Sequence, residues 1–217
     1  MSLFPKIKFC GLSSIEEVSF AINNKVSYIG FIFVKDTPRY INFSESEKII
    51  NKFKNKIDFV GVFIDPSNEY IEKAVESGIN IIQLHGNEEP SRCKEIGNIF
   101  KIPIIKAIPI FNEHDIKIIK EYNDYCDMFL FDTKLKSSNS YHGGTGKTFD
   151  WKIIKDKTNW LKSFKPWMLS GGLAPDNIRT AINISNPHYI DVSSGIEYDL
   201  GKKSKKLMKD FILNVYN

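Results

Sequence analysis

Residues 128–151 read MFLFDTKLKSSNSYHGGTGKTFDW, and their order decides the fold. Met128, Phe129, Leu130 and Phe131 have the length and apolarity of a buried strand, and the run stops on an acid, Asp132. A polar loop (134–142) leads into Gly143, Gly144 and Gly146, and Phe149-Asp150-Trp151 then opens a helix. Strand, acid at the carboxyl end, glycine-bearing loop and helix make one β/α unit. In it the carboxylate stands where water is partly excluded, and the glycines let backbone N–H groups approach an anion.

The same unit recurs along the chain. Short apolar runs at 7–10, 28–33, 59–64, 81–85, 103–108, 128–132, 167–170 and 189–193 read as strands. Amphipathic stretches at 14–24, 45–55, 68–77, 90–97, 113–122, 151–156, 175–184 and 204–215 read as helices. Ser44 ahead of Glu47, and Ser67 ahead of Tyr70, are the expected helix starts. Strict alternation implies a parallel sheet, and eight units predict an α/β fold, a closed (β/α)8 TIM barrel forming a single catalytic domain over residues 1–217. A doubly wound open sheet would carry a glycine-rich turn after its first strand, whereas Cys10-Gly11-Leu12 offers one glycine.

Composition narrows the class. The chain has 217 residues, 42% of them hydrophobic and 26% charged, with a formal charge of +4. That balance suits a globular enzyme with an anionic substrate and gives no argument for nucleic acid. No run approaches the roughly 18 apolar residues of a membrane span. Three unpaired-looking cysteines and no secretory leader point to the cytoplasm. A monomer is expected, with a homodimer as the alternative. No HExxH, HxH or CxxC spacing occurs, so neither metal nor organic cofactor is expected.

The residues with chemistry to offer gather at the carboxyl ends of the strands, the face on which barrels build active sites. Cys10 ends the first strand; a cysteine is most often a small buried hydrophobe, but here Lys8 lies on the same strand face, and a cation favours the thiolate. Cys93 and Cys126 keep the plain buried reading. Asp132 alone could be a helix cap or a surface acid; the four apolar residues before it argue against simple exposure and favour a catalytic acid, and desolvation there favours the neutral form that a general acid needs. Arg39, in the turn Thr37-Pro38-Arg39-Tyr40, has the planar fork that clamps a carboxylate. His85 is either a satisfied core histidine or a substrate contact. Asp65 completes the set on this face. Ser170-Gly171-Gly172 and Ser193-Ser194-Gly195 follow strands seven and eight, the loops that commonly hold phosphate in this architecture. The GGTGKT loop is not a nucleotide-binding loop, because that spacing requires glycine where Tyr141 stands. Lys202, Lys203, Lys205, Lys206 and Lys209 are expected on a solvated helix face. Lys8 and Asp191, both inward on the first and last strands, are expected to pair across the seam.

Seven stretches together carry a resemblance: KFCGL (8–12), GFIFVKDTPRYI (30–41), VGVFIDPS (60–67), QLHGNE (83–88), FDT…GGTGKTFDW (131–151), LSGGLAPDNI (169–178) and DVSSGIE (191–197). In this order, over nearly the whole chain, they resemble phosphoribosylanthranilate isomerases of tryptophan biosynthesis. The resemblance implies an Amadori rearrangement of N-(5′-phosphoribosyl)anthranilate without a cofactor. It assigns the general acid to Asp132, the general base to Cys10 and the anthranilate carboxylate to Arg39. Phosphate falls on Gly172, Ser194 and Gly195, with the 143–146 loop closing nearby. The candidate substrate contacts are therefore Arg39, His85, Gly143, Gly144, Gly146, Gly171, Gly172, Asp191, Ser194 and Gly195. One departure stands after DVSSGIE, where Tyr198-Asp199-Leu200-Gly201-Lys202 replaces the usual proline-glycine. Indole-3-glycerol-phosphate synthase shares the phosphate loops but needs a catalytic lysine and glutamates, and usually a helical extension before its first strand, which here is expected almost at the start. A phosphate-binding scaffold without turnover is the non-enzymatic alternative; Cys10 and Asp132, both present, argue against it.

Overall fold

A computed structural model describes residues 4–133 and 148–216. Strands β1 (Lys6–Cys10), β2 (Tyr28–Ile32), β3 (Asp58–Phe63), β4 (Ile81–Leu84), β5 (Ile104–Ile110), β6 (Met128–Thr133), β7 (Trp167–Leu169) and β8 (Tyr189–Val192) close into a parallel barrel in sequence order. β1 lies against β8 with Lys8 opposite Asp191 in register, so the ring is complete. The expected strands differ from these by one or two residues at their ends.

Alternation along each strand sorts the side chains into two cores. One face points outward, where Phe9, Phe31, Phe63, Phe129 and Phe131 pack under the helices. The other fills the barrel: Val60, Ile81, Ile105, Ala107, Leu130 and Met168 form the interior layer, with Tyr28 and Tyr189 packed beneath. Leu130 belongs to that layer and Asp132, two positions on, shares its direction, so the apolar interior forms the floor below the acid.

The helices are α1 (Ile15–Asn23), α2 (Phe43–Phe53), α3 (Asn68–Glu76), α4 (Pro90–Phe100), α5 (Ile119–Tyr122), α6 (Lys152–Lys155), α7 (Thr158–Leu161), α8 (Ile178–Ser185) and α9 (Lys205–Tyr216). Ser14 and Glu17 form a reciprocal capping box on α1, and Ser67 accepts the N–H of Tyr70 on α3 as expected. On α2 the cap is Asn42, whose side chain accepts from Glu45 N–H, instead of Ser44, so the helix starts two residues earlier. The expected helix at 113–122 is a 3-10 turn, Asp115–Ile118, running into one turn of α5. After Lys155 the helix breaks where the Thr158 hydroxyl donates to the carbonyls of Ile154 and Lys155, and α7 follows as an unforeseen second turn. Among the described residues no helix is long and apolar enough to cross a membrane.

Closing the ring buries a charge pair. Lys8 Nζ donates to Asp191 Oδ1 at 2.8 Å with Lys8 fully enclosed, and Ser170 Oγ donates to the other carboxylate oxygen at 3.1 Å. Removing one partner leaves the other charged and unpaired in the interior. Lys8→Met is therefore expected to destabilise the fold by about 3–5 kcal/mol, read as a lower midpoint in urea unfolding. The double variant Lys8→Met/Asp191→Asn is expected to lose less than the two single variants summed.

Candidate active site

The carboxyl ends of the strands surround a cleft of about 290 Å³. Cys10, Arg39, His85, Asp132, Gly171, Gly172, Asp191 and Ser194 all line it, from six of the eight β/α units. Cys10 and Asp132 thus open onto one cavity. Gly195 stands one layer behind, packed on the Leu173 and Ala174 backbone, and so joins the loops after β7 and β8. Asp65 does not line the cleft; its side chain accepts the Asn87 N–H and ties the loop after β3 to the loop after β4. Gly143, Gly144 and Gly146 lie outside the described residues.

The thiol of Cys10 sits above the buried seam. Burial is the largest influence and raises its pKa above the ordinary thiol value; the ammonium of Lys8 opposes that, Asp191 adds to it, and Lys203 opposes it again. The expectation that Lys8 secures a thiolate is corrected accordingly: Lys8 limits the rise but does not overcome desolvation. The two groups meet because of β2. A Cβ on Gly30 would lie 2.8 Å from Cys10 Sγ and 3.1 Å from Lys8 Nζ, so any larger residue would push the thiol from the ammonium. Cys93 and Cys126 are buried, with their thiols pushed up to about 11 and about 12 by desolvation.

Asp132 is the penultimate residue of β6, with little of its side chain exposed. Its Oδ1 accepts the Thr133 N–H at 2.8 Å, and its Oδ2 lies 3.0 Å from His85 Nε2. The other ring nitrogen of His85 is 2.8 Å from Gln83 Nε2, so both nitrogens are engaged within the protein. Gly171 turns directly over the acid. Its φ is +87°, and a Cβ there would lie 2.8 Å from Asp132 Oδ1 and 2.7 Å from Thr133 N. The acid and the β7 glycine loop therefore share a wall.

Behind His85 the QLHGNE loop is anchored by a buried pair that the sequence reading passed over. Lys106 Nζ donates to Glu88 Oε2 and to the Gly86 carbonyl, both at 2.8 Å, while Glu88 accepts the N–H groups of Asp65 and Gly86. Such a fully satisfied buried pair fixes loop shape more than it adds stability.

Arg39 is held by Glu197. Its Nε and Nη2 donate to the two carboxylate oxygens at 2.7 and 2.8 Å, a bidentate pair spanning 158 residues of sequence. Lys203 joins from the other side, donating to Glu197 Oε1 at 2.6 Å and to the Ser193 carbonyl at 2.9 Å. Lys203 is buried, contrary to the solvated face expected for it, whereas Lys202, Lys205, Lys206 and Lys209 are exposed as expected. The departure at 198–202 explains this: Glu197–Asp199 (β9) and Lys202–Lys203 (β10) form an antiparallel hairpin, with Gly201 at its turn against Pro38, and the hairpin folds Lys203 back over Glu197. A glycine set between Asp199 and Lys202 was the available sign of such a turn.

Burial raises the Glu197 carboxyl, but the Arg39 hydrogen bond and the Lys203 charge outweigh it and hold it below the ordinary value of 4.5. A folded-state pKa below the unfolded one contributes stability above the unfolded value, and that contribution is lost as pH falls through the folded one. Glu197→Gln is accordingly expected to lower the melting temperature at pH 7 and to flatten the decline of stability below about pH 4.5. Thermal melts across the acid range check this.

Comparison with known proteins agrees with the layout. A sequence model described as "N-(5'phosphoribosyl)anthranilate (PRA) isomerase" matches residues 7–214. An N-(5'-phosphoribosyl)anthranilate isomerase of Zymomonas mobilis subsp. pomaceae is 36% identical over 208 residues, covering 95% of this chain and 96% of that one. The crystal structure of the Thermotoga maritima phosphoribosyl anthranilate isomerase superposes with a TM-score of 0.86 at 34% identity, covering 97% of this chain and 98% of that one. A further structure of such an isomerase, in complex with reduced 1-(O-carboxyphenylamino)-1-deoxyribulose 5-phosphate, gives a TM-score of 0.82 at 31% identity with the same coverage of both chains. With the family matched from the first strand to the last helix, the chain belongs to the N-(5'-phosphoribosyl)anthranilate isomerases.

Proposed function

We propose that this enzyme carries out the Amadori rearrangement of N-(5′-phosphoribosyl)anthranilate to 1-(2-carboxyphenylamino)-1-deoxyribulose 5-phosphate, with Asp132 as general acid and Cys10 as general base. The observation that carries the assignment is the opening of the acid and the thiol onto one cleft whose wall continues into the β7 and β8 loops. Asp132 gives its proton to the furanose ring oxygen as the C1′–O bond breaks toward that oxygen. The anthranilate nitrogen lone pair forms the C=N bond. The Cys10 thiolate then takes the proton from C2′, and the electron pair left behind makes the enolamine, which tautomerises to the ketone. Each step moves a single proton and requires an acid and a base in opposite states.

The substrate's three parts have three partners. The aromatic ring suits the apolar side of the cleft, formed by Ile32, Val34, Val62 and Ile64. Its carboxylate suits Arg39: Glu197 takes one edge of the guanidinium, and among the described residues the edge carrying Nη1 is left for a second bidentate partner. The phosphate suits Gly171, Gly172, Ser194 and Gly195, where backbone N–H groups can approach an anion. Every group invoked comes from one chain, and the proposed working unit is a monomer. The test is direct: the purified chain, given fluorescent phosphoribosylanthranilate, is expected to quench it with formation of the ribulose phosphate. A chain that leaves that substrate unchanged overturns the assignment.

A further inference from the structure

We propose that Gln83 and His85 are positioning residues for the acid: together they fix one tautomer of His85, so that two neutral N–H groups await the carboxylate formed when Asp132 releases its proton. The inference rests on the reading of Asp132 as general acid.

The geometry begins inside β4. Gln83 points into the barrel and is enclosed, with its amide nitrogen 2.8 Å from His85 Nδ1. An amide N–H can only donate, so Nδ1 must accept, and the ring proton of a neutral imidazole then resides on Nε2. Nε2 faces Asp132 Oδ2 at 3.0 Å. The other carboxyl oxygen already holds the Thr133 N–H at 2.8 Å. Each oxygen of Asp132 thus has one donor set in place before any reaction.

The opposite orientation of the Gln83 amide would give the opposite result: Nδ1–H donating to the amide oxygen, and Nε2 accepting from a protonated Asp132. Packing favours the first. Among the described residues the Gln83 amide oxygen is buried without a partner. Turning the amide around would place both of its N–H groups in that same unpartnered spot, and orphaned buried N–H groups are rarer than under-satisfied carbonyls.

The chemical consequence is differential. While Asp132 is neutral, Oδ2 accepts from His85 as an uncharged carbonyl and Oδ1 carries the proton offered to the ring oxygen. As that O–H bond breaks, its electron pair stays on the carboxylate. Both N–H contacts then become bonds to an ion, which are roughly twice as strong. Donors aimed at charge that appears only in the transition state lower the barrier and leave ground-state binding alone.

The experiment pairs kinetics with ring 15N NMR on the full-length enzyme. His85→Ala is expected to lower kcat on the order of 10- to 100-fold, less than the 10²–10³ of a sole oxyanion donor because the Thr133 N–H remains, with KM within a few-fold. His85→Gln, whose amide nitrogen can take the place of Nε2, is expected to recover most of that loss. The His85 resonances, assigned by their disappearance in His85→Gln, are expected to show the Nε2–H tautomer, and Gln83→Leu is expected to dilute it. An Nδ1–H tautomer, equal losses in the Ala and Gln variants, or an unchanged kcat in His85→Ala overturns the inference. Asp132→Asn separates the two levels: if it is inactive while His85 behaves in one of those ways, only the positioning role falls; if it is active, the acid assignment falls and takes this role with it.

Discussion

Asp132→Asn is expected to lower kcat by about 10²–10⁴-fold, the range that positioned proton transfer supplies, with little change in fold or in substrate affinity. Asparagine keeps the shape, although its single amide oxygen can accept from only one of the two donors that now face the carboxyl group, the Thr133 N–H at 2.8 Å or His85 Nε2 at 3.0 Å. What it cannot do is give a proton to the ring oxygen, so the furanose stays closed. Binding measured by fluorescence titration should survive while turnover does not. A variant that turns over within a few-fold of the parent would assign the acid elsewhere.

Cys10→Ser is expected to cost a similar factor, about 10²–10⁴-fold in kcat, for a different reason. A hydroxyl in the same place stays protonated at every workable pH, whereas a thiol reaches its anion. The parent enzyme then has a recognisable pH signature. Because burial raises the thiol above its ordinary pKa, the reactive thiolate is the minor form at neutrality, and alkylation of Cys10 by iodoacetamide is expected to climb with pH through the alkaline range. Cys93 and Cys126, buried with thiols at about 11 and about 12, contribute little to that reaction. An alkylation rate independent of pH above neutrality would contradict a buried thiol that becomes reactive as it ionises.

Much of this arrangement is legible in the sequence because a barrel strand is buried on both faces. Runs such as Met128–Phe131 therefore stand out, and the residue that breaks the run, Asp132, marks the rim. The Lys8–Asp191 pair follows from parity alone once the ring is known to close: both are inward residues of adjacent strands, and the structure brings them to 2.8 Å. Arg39 and Glu197 have no such local sign. Their contact depends on how two loops, 158 residues apart in the chain, meet over the cleft. The burial of Lys203 is hidden in the sequence for a related reason: its neighbours are solvated, and only the hairpin turn at Gly201 takes it inside. From sequence His85 fits a core histidine and a ligand contact equally, since strand periodicity gives its direction but not the identity of what lies opposite. Helix starts show the same limit on a smaller scale, with Asn42 capping where Ser44 was expected because both are good acceptors and only the backbone path chooses between them.

The seam that closes the ring also sets a date for the chemistry. Lys8 is synthesised 183 residues before its carboxylate partner. Until β8 arrives, the ammonium lacks its counter-ion and the thiol beside it lacks the enclosure that tunes it. A nascent chain that still lacks β8 therefore carries an ordinary cysteine, and the enzyme's base comes into being only with the last strand of the barrel.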